Sequence, residues 1–567
     1  MDTKPWLKNY DAGVPASLAP YPNKTLLDVV AQAARERPNN PALLFQGAAV
    51  SCGAMEQQSN AVAAALAALG VRKGDRVALM MPNSPQAIIS QLGVWKAGAM
   101  VVALNPQYTE PELEHALNQT SPEVIIVLTM FYDKVKSIQP RTPLRHVIAT
   151  SIGEYLPPLT RLAFTLLKEK KDGHRISLRP GDLWLVDLLA QHKAGTREPV
   201  QVGPNDPALL IFTGGTTGNP KAAVGTHASL LMAGMQINTW AKGVLDDWKD
   251  VIVLALPLFH AAGNIGVLTT GLVGHNPLAL VPNPRDLDSL IKTIQQTKPA
   301  FLPGVPTLFI ALLNHKLVQS GKADFSSIKL SFAGAAPLLA DTKQRFEKLT
   351  GGRIVEAYAL TESMMAAVFG PVRGKDKPGA VGMPLPDVIV RIAPVTGDPS
   401  DDQGTLPTGE IGEIAISAPQ LMQGYWQNPA ETATMLRDGW LYTGDLGYLD
   451  EDGYVYIVDR KKDLIKPSGF QVWPREVEEV IASHPSVGEV SVAGVPDAYQ
   501  GEAVQAWIVL RAGAALTSDE IRAYCRERLA NYKVPKHVQF RDALPKTNVG
   551  KVLRRTLVAE AKKAAEA

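Results

Sequence analysis

FTGGTTGNPK, residues 212–221, packs three glycines, three threonines and one lysine into a single short stretch. Gly214, Gly215 and Gly218 let backbone N–H groups close on an anion. Thr213, Thr216 and Thr217 add hydroxyl donors, and Lys221 adds a full positive charge. A Walker loop would put Lys-Ser or Lys-Thr directly after its last glycine. Here Gly218 is followed by Asn219, Pro220, Lys221 and Ala222, which argues against a P-loop ATPase. The plain alternative is a flexible glycine turn between a strand and a helix. The apolar run ALLIF just before the loop and the Pro-Lys just after it favour a phosphate cradle.

Other stretches carry chemistry more faintly. Tyr358, Thr361 and Glu362 in AYALTE read on their own as ordinary strand and loop. Asp445 in YTGDLG reads as a turn. Lys551 in NVGKVLRR reads as a basic, solvated C-terminal tail. Only their company can raise them above that.

The elements around the loop are regular. TLLDVVAQAARERP has Thr25 and Asp28 placed to cap a helix that Pro38 ends. A second helix covers 54–69, with Gly70 as its stop. RVALMM, AMVVALN and EVIIVLT then alternate with the helical runs PQAIISQLGVWKAG and PELEHALNQT. Short continuous apolar strands between helices imply parallel strands covered on both faces, a doubly wound α/β architecture. After Gly409 the texture changes to β, and GYLDEDGYVYIVDR reads as a hairpin across an Asp-Gly turn. The last hundred or so residues carry their own elements: PREVEEVIAS as a helix, EVSVAGV and VQAWIVL as strands, and a capping box at Thr517 and Glu520. The expected division is 1–459 as a large domain of doubly wound sheets plus a β subdomain, 460–463 as a hinge, and 464–567 as a small mobile α+β domain.

Bulk properties exclude several classes. The chain has 567 residues, 57 Lys and Arg against 55 Asp and Glu, and no basic excess of the kind that tracks nucleic acid. Two distant cysteines exclude a disulfide scaffold, and the scattered histidines form no metal motif. MDTKPWLKNYDAG lacks the apolar run of a signal peptide, so a cytoplasmic protein is expected. Residues 251–284 contain no Asp, Glu, Lys or Arg. Pro257, His260, Asn264 and several glycines interrupt them, which favours strand, loop and helix over a membrane span. Residues 156–171 combine an apolar stripe with a basic end. A surface helix is the plain reading and a membrane-surface contact the sharper one.

Taken with its neighbours, the loop resembles that of the adenylate-forming superfamily of acyl-CoA synthetases, luciferases and peptide-synthetase adenylation domains. Thr213 to Lys221 matches the family's hallmark loop, which reads [ST]-G-T-T-G-x-P-K, with Gly214 at the second position of the stretch. The resemblance runs through ALLFQG, KGDRVALMMPN, AGAMVVALNPQYT, LPLFH, AGAAP, YALTE, GEIGEIAIS, GYW, WLYTGDLG, DRKKDLIKPSGFQVWPREVE and LPKTNVGKVLRR, in the family's order and spacing. Within the superfamily, WLKNYDAGVP, NPQYTEPELEHALN and RHVIATSIGEYLPPL are similar to bacterial-type long-chain fatty acid–CoA ligases.

That resemblance implies ATP, Mg²⁺ and CoA, and a carboxylate joined first to AMP and then to a thiol. It implies phosphate binding by Thr213–Gly218 and Lys221, and an adenine wall from Gly334, Ala335, Ala336 and Pro337. Ala357, Tyr358 and Ala359 would form the nucleotide floor. Thr361 would face the α-phosphate, Glu362 would hold Mg²⁺ with help from Thr217, Asp445 would take the ribose, and Arg460 would reach the ribose or the phosphates. Lys462 would be the pivot and Lys551 the lysine that assists adenylation. Ser468, Gly469 and Phe470 would line the thiol channel after rotation, and His260 with Phe259 would gate the reacting carboxylate. Residues 363–370, SMMAAVFG, offer an apolar pocket wall. Two departures stand out: Ala357 and Ala359 replace common glycines, and Ala222 replaces another. The alternatives are a medium-chain or aryl acid, a carrier-protein thiol as acceptor, or a non-catalytic acyl-binding or transport protein. A homodimer and a peripheral contact with the inner face of the membrane are left open.

Overall fold

The computed structural model describes residues 4–192, 200–213, 220–395, 404–461, 463–469, 472–497, 499–546 and 552–566. One sheet has eight strands, in the order Gly424–Tyr425, Ala222–Thr226, Pro207–Phe212, Met100–Ala103, Arg76–Met80, Val124–Leu128, His146–Thr150 and Leu183–Trp184. From Pro207–Phe212 outward all pairs are parallel. Every residue of Val124–Leu128 is buried, as a strand covered on both faces requires. The helix Pro85–Lys96 is buried along its whole length beneath this sheet. Ser84 caps it, with its hydroxyl accepting the Ala87 N–H, and Trp95 donates its indole N–H to the Ala208 carbonyl.

A second sheet begins with Ile252–Leu254, Leu278–Leu280, Pro41–Phe45 and Ala48–Ser51. Phe301 bridges Ile252 to Leu330 and leads into nine further strands that start with Leu330–Gly334 and Arg353–Tyr358. The expected β subdomain is continuous with this sheet. Val368–Phe369 and Ala380–Pro384 carry the ladder from Tyr358 across to the hairpin Trp440–Leu449 and Val455–Arg460. Tyr358 and Asp445, far apart in sequence, thereby lie on one sheet.

The charge-free stretch 251–284 is a strand, a loop, the helices Ala262–Thr269 and Thr270–Val273, and another strand. Among the described residues no helix is long and apolar enough to cross a membrane.

Past residue 463 a smaller unit holds three strands, Val487–Asp497, Gly501–Leu510 and His537–Phe540. The helices Pro474–Ala482 and Ser518–Arg526 flank them around a core of Val477, Ile481, Val492, Val504, Ile508 and Ile521. The capping boxes at Thr25–Asp28 and Thr517–Glu520 both form.

Candidate active site

The glycine–threonine loop joins two antiparallel strands. The strand-to-helix turn of the plain alternative does not form, because the helix His227–Ala241 starts only after Ala222–Thr226. The Thr213 N–H donates to the Lys221 carbonyl at 2.8 Å and closes the mouth of the loop. Gly214, Gly215, Thr216, Thr217 and Gly218 lie outside the described residues.

Lys221 is held at the end of this hairpin. Its Nζ is 2.5 Å from Glu431 Oε2 and 5.3 Å from the centre of the Tyr425 ring. Tyr425 sits on the edge strand Gly424–Tyr425, opposite Ala223, and donates its hydroxyl to Glu362 Oε1 at 2.6 Å. One tyrosine side chain thus spans from the loop lysine to the buried carboxylate. Burial, and then the charge of Glu362, push the Tyr425 phenol up, so it remains a donor at neutral pH. Thr361 and Glu362 begin a tight turn closed by the Met365 N–H on the Leu360 carbonyl, with the Ser363 hydroxyl bridging the Leu360 N–H and C=O. Met364 and Met365 take φ of 49° and 62° in that turn.

The donor set fits Mg²⁺. Among the described residues no group of three or more His, Cys, Asp or Glu could hold a metal ion. Mg²⁺ is ordinarily held by one or two carboxylates, with substrate phosphate oxygens and water completing its shell. A single buried Glu362, linked through Tyr425 to Lys221, meets that need.

Tyr358, Asp445 and Arg460 form a second cluster. The Tyr358 hydroxyl donates to Asp445 Oδ2 at 2.7 Å, and Arg460 Nε lies 3.2 Å from Asp445 Oδ1. Asp445 and Arg460 face each other across the hairpin. Gly444 turns the chain at φ 71° and gives its N–H to Glu413 Oε1, while Lys461 Nζ takes Glu413 Oε2. A buried glutamate therefore fixes the turn that presents Asp445. Burial first, then the Asp445 charge, raise the Tyr358 phenol far up, so its ring plane is anchored by a permanent donor.

Gly334 faces Ala357 across parallel strands, and a Cβ on Gly334 would come within 2.9 Å of the Ala357 carbonyl. Ala335 is held at φ 71°, in the left-handed region that costs an alanine about 1 kcal/mol. Ala336 and Pro337 are exposed beside it. Neither Ala357 nor Ala359 has positive φ, so their methyl groups carry no backbone strain and act on pocket shape alone.

Phe259 and His260 are half-buried in the loop after Ile252–Leu254. Asn83 pins that loop: its amide donates to the Leu254 and Leu256 carbonyls, and its Oδ1 accepts the Leu258 N–H. Gln91 and Asn264 exchange two amide hydrogen bonds, and Asn264 also donates to the Leu258 carbonyl. The Ala262 N–H reaches His260 Nδ1 at 3.2 Å. Gly266, on the following helix, faces Met365 in the apolar wall, with Met364, Ala366, Ala367, Val368 and Phe369 buried behind it.

The AMP-binding enzyme family matches residues 30–426, and the AMP-binding enzyme C-terminal domain matches residues 476–551. This chain belongs to the AMP-binding enzyme family. A long-chain-fatty-acid–CoA ligase of Bacillus subtilis is 40% identical over 559 residues, 98% of each chain. A long-chain-fatty-acid–CoA ligase of Escherichia coli O6:H1 is 38% identical over 563 residues, 99% of this chain and 98% of that one. The fold is similar to ATP-bound MatB from Rhodopseudomonas palustris, with a TM-score of 0.81, 30% identity, and coverage of 94% of this chain and 99% of that one.

In this AMP-binding enzyme the small domain keeps its own contacts. Ser468 sits at φ 51° and gives its N–H to the Gln500 carbonyl. Among the described residues no hydrogen bond ties Ser468 or Gly469 to the Tyr358–Asp445–Arg460 cluster. Lys462, Phe470 and Lys551 lie outside the described residues.

Several site-building residues were not singled out from the sequence: Tyr425, Glu431, Glu413, and the Asn83–Gln91–Asn264 network. Tyr425 and Asn83 stand in stretches already recognised, GYW and MMPN, so the signal was present without a role attached. Glu431 had no such signal.

Proposed function

We propose that the protein is a long-chain fatty acid–CoA ligase that converts a fatty acid, ATP and CoA into acyl-CoA, AMP and pyrophosphate through an acyl-adenylate. The observation that carries this reading is the pairing of two clusters through one short segment, with Tyr358 in one and Glu362 in the other. Glu362, Tyr425 and Lys221 suit a phosphate tail with its Mg²⁺, and Tyr358, Asp445 and Arg460 suit an adenosine.

The first half-reaction sets a carboxylate against a phosphate, two anions, so charge neutralisation and alignment dominate. Mg²⁺, when bound, supplies charge neutralisation on the phosphate oxygens. Lys221 and the 213–218 loop hold the β- and γ-phosphates. The Thr361 hydroxyl lies beside the α-phosphate, and Asp445 accepts from the ribose diol. Tyr358 offers its ring to adenine against the Gly334–Pro337 wall. Lys551 donates to the phosphates as a carboxylate oxygen bonds to the α-phosphorus and the bond to the bridging oxygen breaks. In the second half-reaction the thiol sulfur bonds to the acyl carbon and AMP leaves. Rotation of 464–567 about 460–463 removes Lys551 and brings Ser468, Gly469 and Phe470 to the thiol path. His260 and Phe259 stand where the acyl carboxylate must pass. The uncharged wall at 363–370 suits an alkyl chain, gaining about 0.8 kcal/mol per buried CH₂.

The test is AMP release with CoA across a panel of acids, from acetate through long-chain acids, with aromatic acids included. A clear optimum among long-chain acids is expected. An optimum among aromatic or short acids would reject the substrate class, and absence of pyrophosphate release with every acid would reject the enzyme reading.

The reading extends to an anionic lipid surface as the source of substrate. The helix Pro158–Leu167 buries none of its residues, and Leu159, Leu162, Leu166 and Leu167 are 84, 58, 73 and 74% exposed. Leu159, Leu162 and Leu166 follow one helical face, and Arg161, Lys168, Lys170 and Lys171 are exposed around it. Phe164 fastens the helix to the body, its ring 5.3 Å from His174. Seating three leucines in lipid at about 1.5–3 kcal/mol each, with basic residues beside them, suits reversible interfacial attachment. Co-sedimentation with phosphatidylglycerol-containing vesicles should be lost in the double variant Leu162→Asp, Leu166→Asp, with turnover on dissolved acid unchanged. Undiminished co-sedimentation would refute the attachment.

A further inference from the structure

We propose that Glu431 is a positioning residue that competes with the nucleotide's phosphates for Lys221, and thereby sets how tightly ATP is held and how readily pyrophosphate leaves. The proposal rests on the reading of Lys221 as a phosphate-binding lysine.

Glu431 is fixed in place by contacts that do not involve Lys221. It lies in the short helix Pro429–Met435, whose cap is Asn428, with Asn428 Oδ1 accepting the Glu431 N–H at 3.2 Å. The next residue bolts this helix to the active-site strand: Thr432 Oγ1 accepts the Tyr425 N–H at 2.9 Å and donates to the Asn428 carbonyl at 2.8 Å. The carboxylate is therefore presented from a helix bonded to the edge strand that carries Tyr425, whose hydroxyl meets Glu362. Lys221 is the partner with open space beside it. Pro220, Lys221 and Asn428 line an open cavity of about 470 Å³, together with His115, Asn118 and Gln119. Its Nζ has room to swing off Glu431 without disturbing the sheet.

The charges give this arrangement a direction. Lys221 and Glu431 are both partly open to solvent, at 29% and 44% exposure, so their pair is of the weak, exchangeable kind. A phosphate tail carries several negative charges and offers Lys221 stronger charge-assisted hydrogen bonds than one carboxylate can. When Lys221 turns to phosphate, Glu431 is left as an unpaired negative charge a few ångströms from the tail. It then repels bound pyrophosphate and can recapture Lys221 once the bond to the α-phosphorus has broken. A residue whose partner is 210 positions away in the chain thus ties release of the leaving group to the helix after Tyr425.

The test compares the full-length protein with Glu431→Gln and Glu431→Asp. Calorimetric titration with magnesium pyrophosphate needs no turnover, and it separates this proposal from the choice of acid substrate. Steady-state kinetics then give KM for ATP, KM for fatty acid, kcat and the inhibition constant of pyrophosphate. In Glu431→Gln, pyrophosphate binding should tighten about 5–10-fold and KM for ATP should fall similarly, on the scale of removing one like charge nearby. Fatty-acid KM should stay within about twofold, since a competitor for Lys221 has no reach into the acyl wall. Glu431→Asp should fall between the two. A merely structural role would lower the unfolding temperature and kcat while leaving pyrophosphate affinity alone. Pyrophosphate affinity within twofold of wild type, weaker binding in Glu431→Gln, or no pyrophosphate binding in any of the three proteins overturns the proposal.

Discussion

Asp445→Asn is the sharpest test of the adenosine cluster, because it changes charge with almost no change of shape. In the protein the carboxylate accepts the Tyr358 hydroxyl on Oδ2 and lies against Arg460 on Oδ1. Asp445 is buried and its turn is fixed by Glu413, so the asparagine must occupy the same place. A hydrogen bond to a charged acceptor is worth about 1.5–3 kcal/mol and one to a neutral acceptor about 1 kcal/mol. Two ribose hydroxyls on the carboxylate would then lose about 2–3 kcal/mol between them, or roughly 30–150-fold in nucleotide affinity. The asparagine also presents N–H donors to Arg460, which holds them apart. The expected outcome is KM for ATP raised by about that factor, with fatty-acid and CoA KM unchanged and the unfolding temperature lowered by only a few degrees. Steady-state kinetics with each substrate varied in turn would measure it. An unchanged KM for ATP, in a protein that still unfolds cooperatively, would remove Asp445 from the nucleotide site and with it the central premise of the site assignment.

Two further perturbations probe the rest. Lys551→Ala should slow acyl-adenylate formation about a hundredfold or more, on the scale of a lost charge donor, while sparing thioester formation from supplied acyl-adenylate. Equal loss in both half-reactions, measured separately, would contradict the alternation of the small domain. Burial lifts the Glu356 carboxyl from its ordinary 4.5 to about 6, against the pull of the Leu338 N–H and of Arg475 and Lys343. The folded protein keeps this proton where the unfolded chain has lost it, so stability falls as pH rises from about 4.5 to 6 and the deficit persists above that. Glu356→Gln should therefore be more stable than the parent by about 1–2 kcal/mol at pH 7 and level with it near pH 4. Denaturant unfolding at the two pH values would show it, and a variant no more stable at pH 7 would contradict it.

What the sequence disclosed and what it withheld divide along the distance over which a contact acts. Capping at Thr25–Asp28 and Thr517–Glu520 spans three residues and was legible from residue type alone. The parallel core strands were legible because burial on both faces leaves a continuous apolar run, as in Val124–Leu128. The hairpin around the glycine–threonine loop was not, since Ala222–Thr226 reads equally as the start of a helix until Pro207–Phe212 is seen folded against it. Tyr425 lies 63 residues from Glu362, and Gln91 lies 173 from Asn264. No local pattern marks such pairs. The resemblance brought most of the candidate site into view at once, but it named groups proposed to meet the nucleotide and passed over those that hold them in place.

The contacts between the two domains bear on how the small one could move. Between described residues, two hydrogen bonds join the parts before 460 and after 463. Both come from Arg475, its backbone N–H to Asp459 Oδ2 and its guanidinium to the Ile457 carbonyl. A looser ion pair adds Arg554 at 3.7 Å from Asp459 Oδ1. Arg554 is otherwise committed to the small domain, bidentate on Glu478 and 2.9 Å from Asp463. These three contacts fall on the last strand of the large domain, next to the proposed pivot at 460–463, while the charge of Arg475 also acts on Glu356 in Arg353–Tyr358. A rotation there would break these few bonds between described residues close to its axis. Asp459 is buried, and burial raises its carboxyl, so the charge that anchors the joint is one the fold holds at a cost. A joint closed by one buried carboxylate and two arginines can open without unmaking either core, which is what two successive chemistries at one site would require.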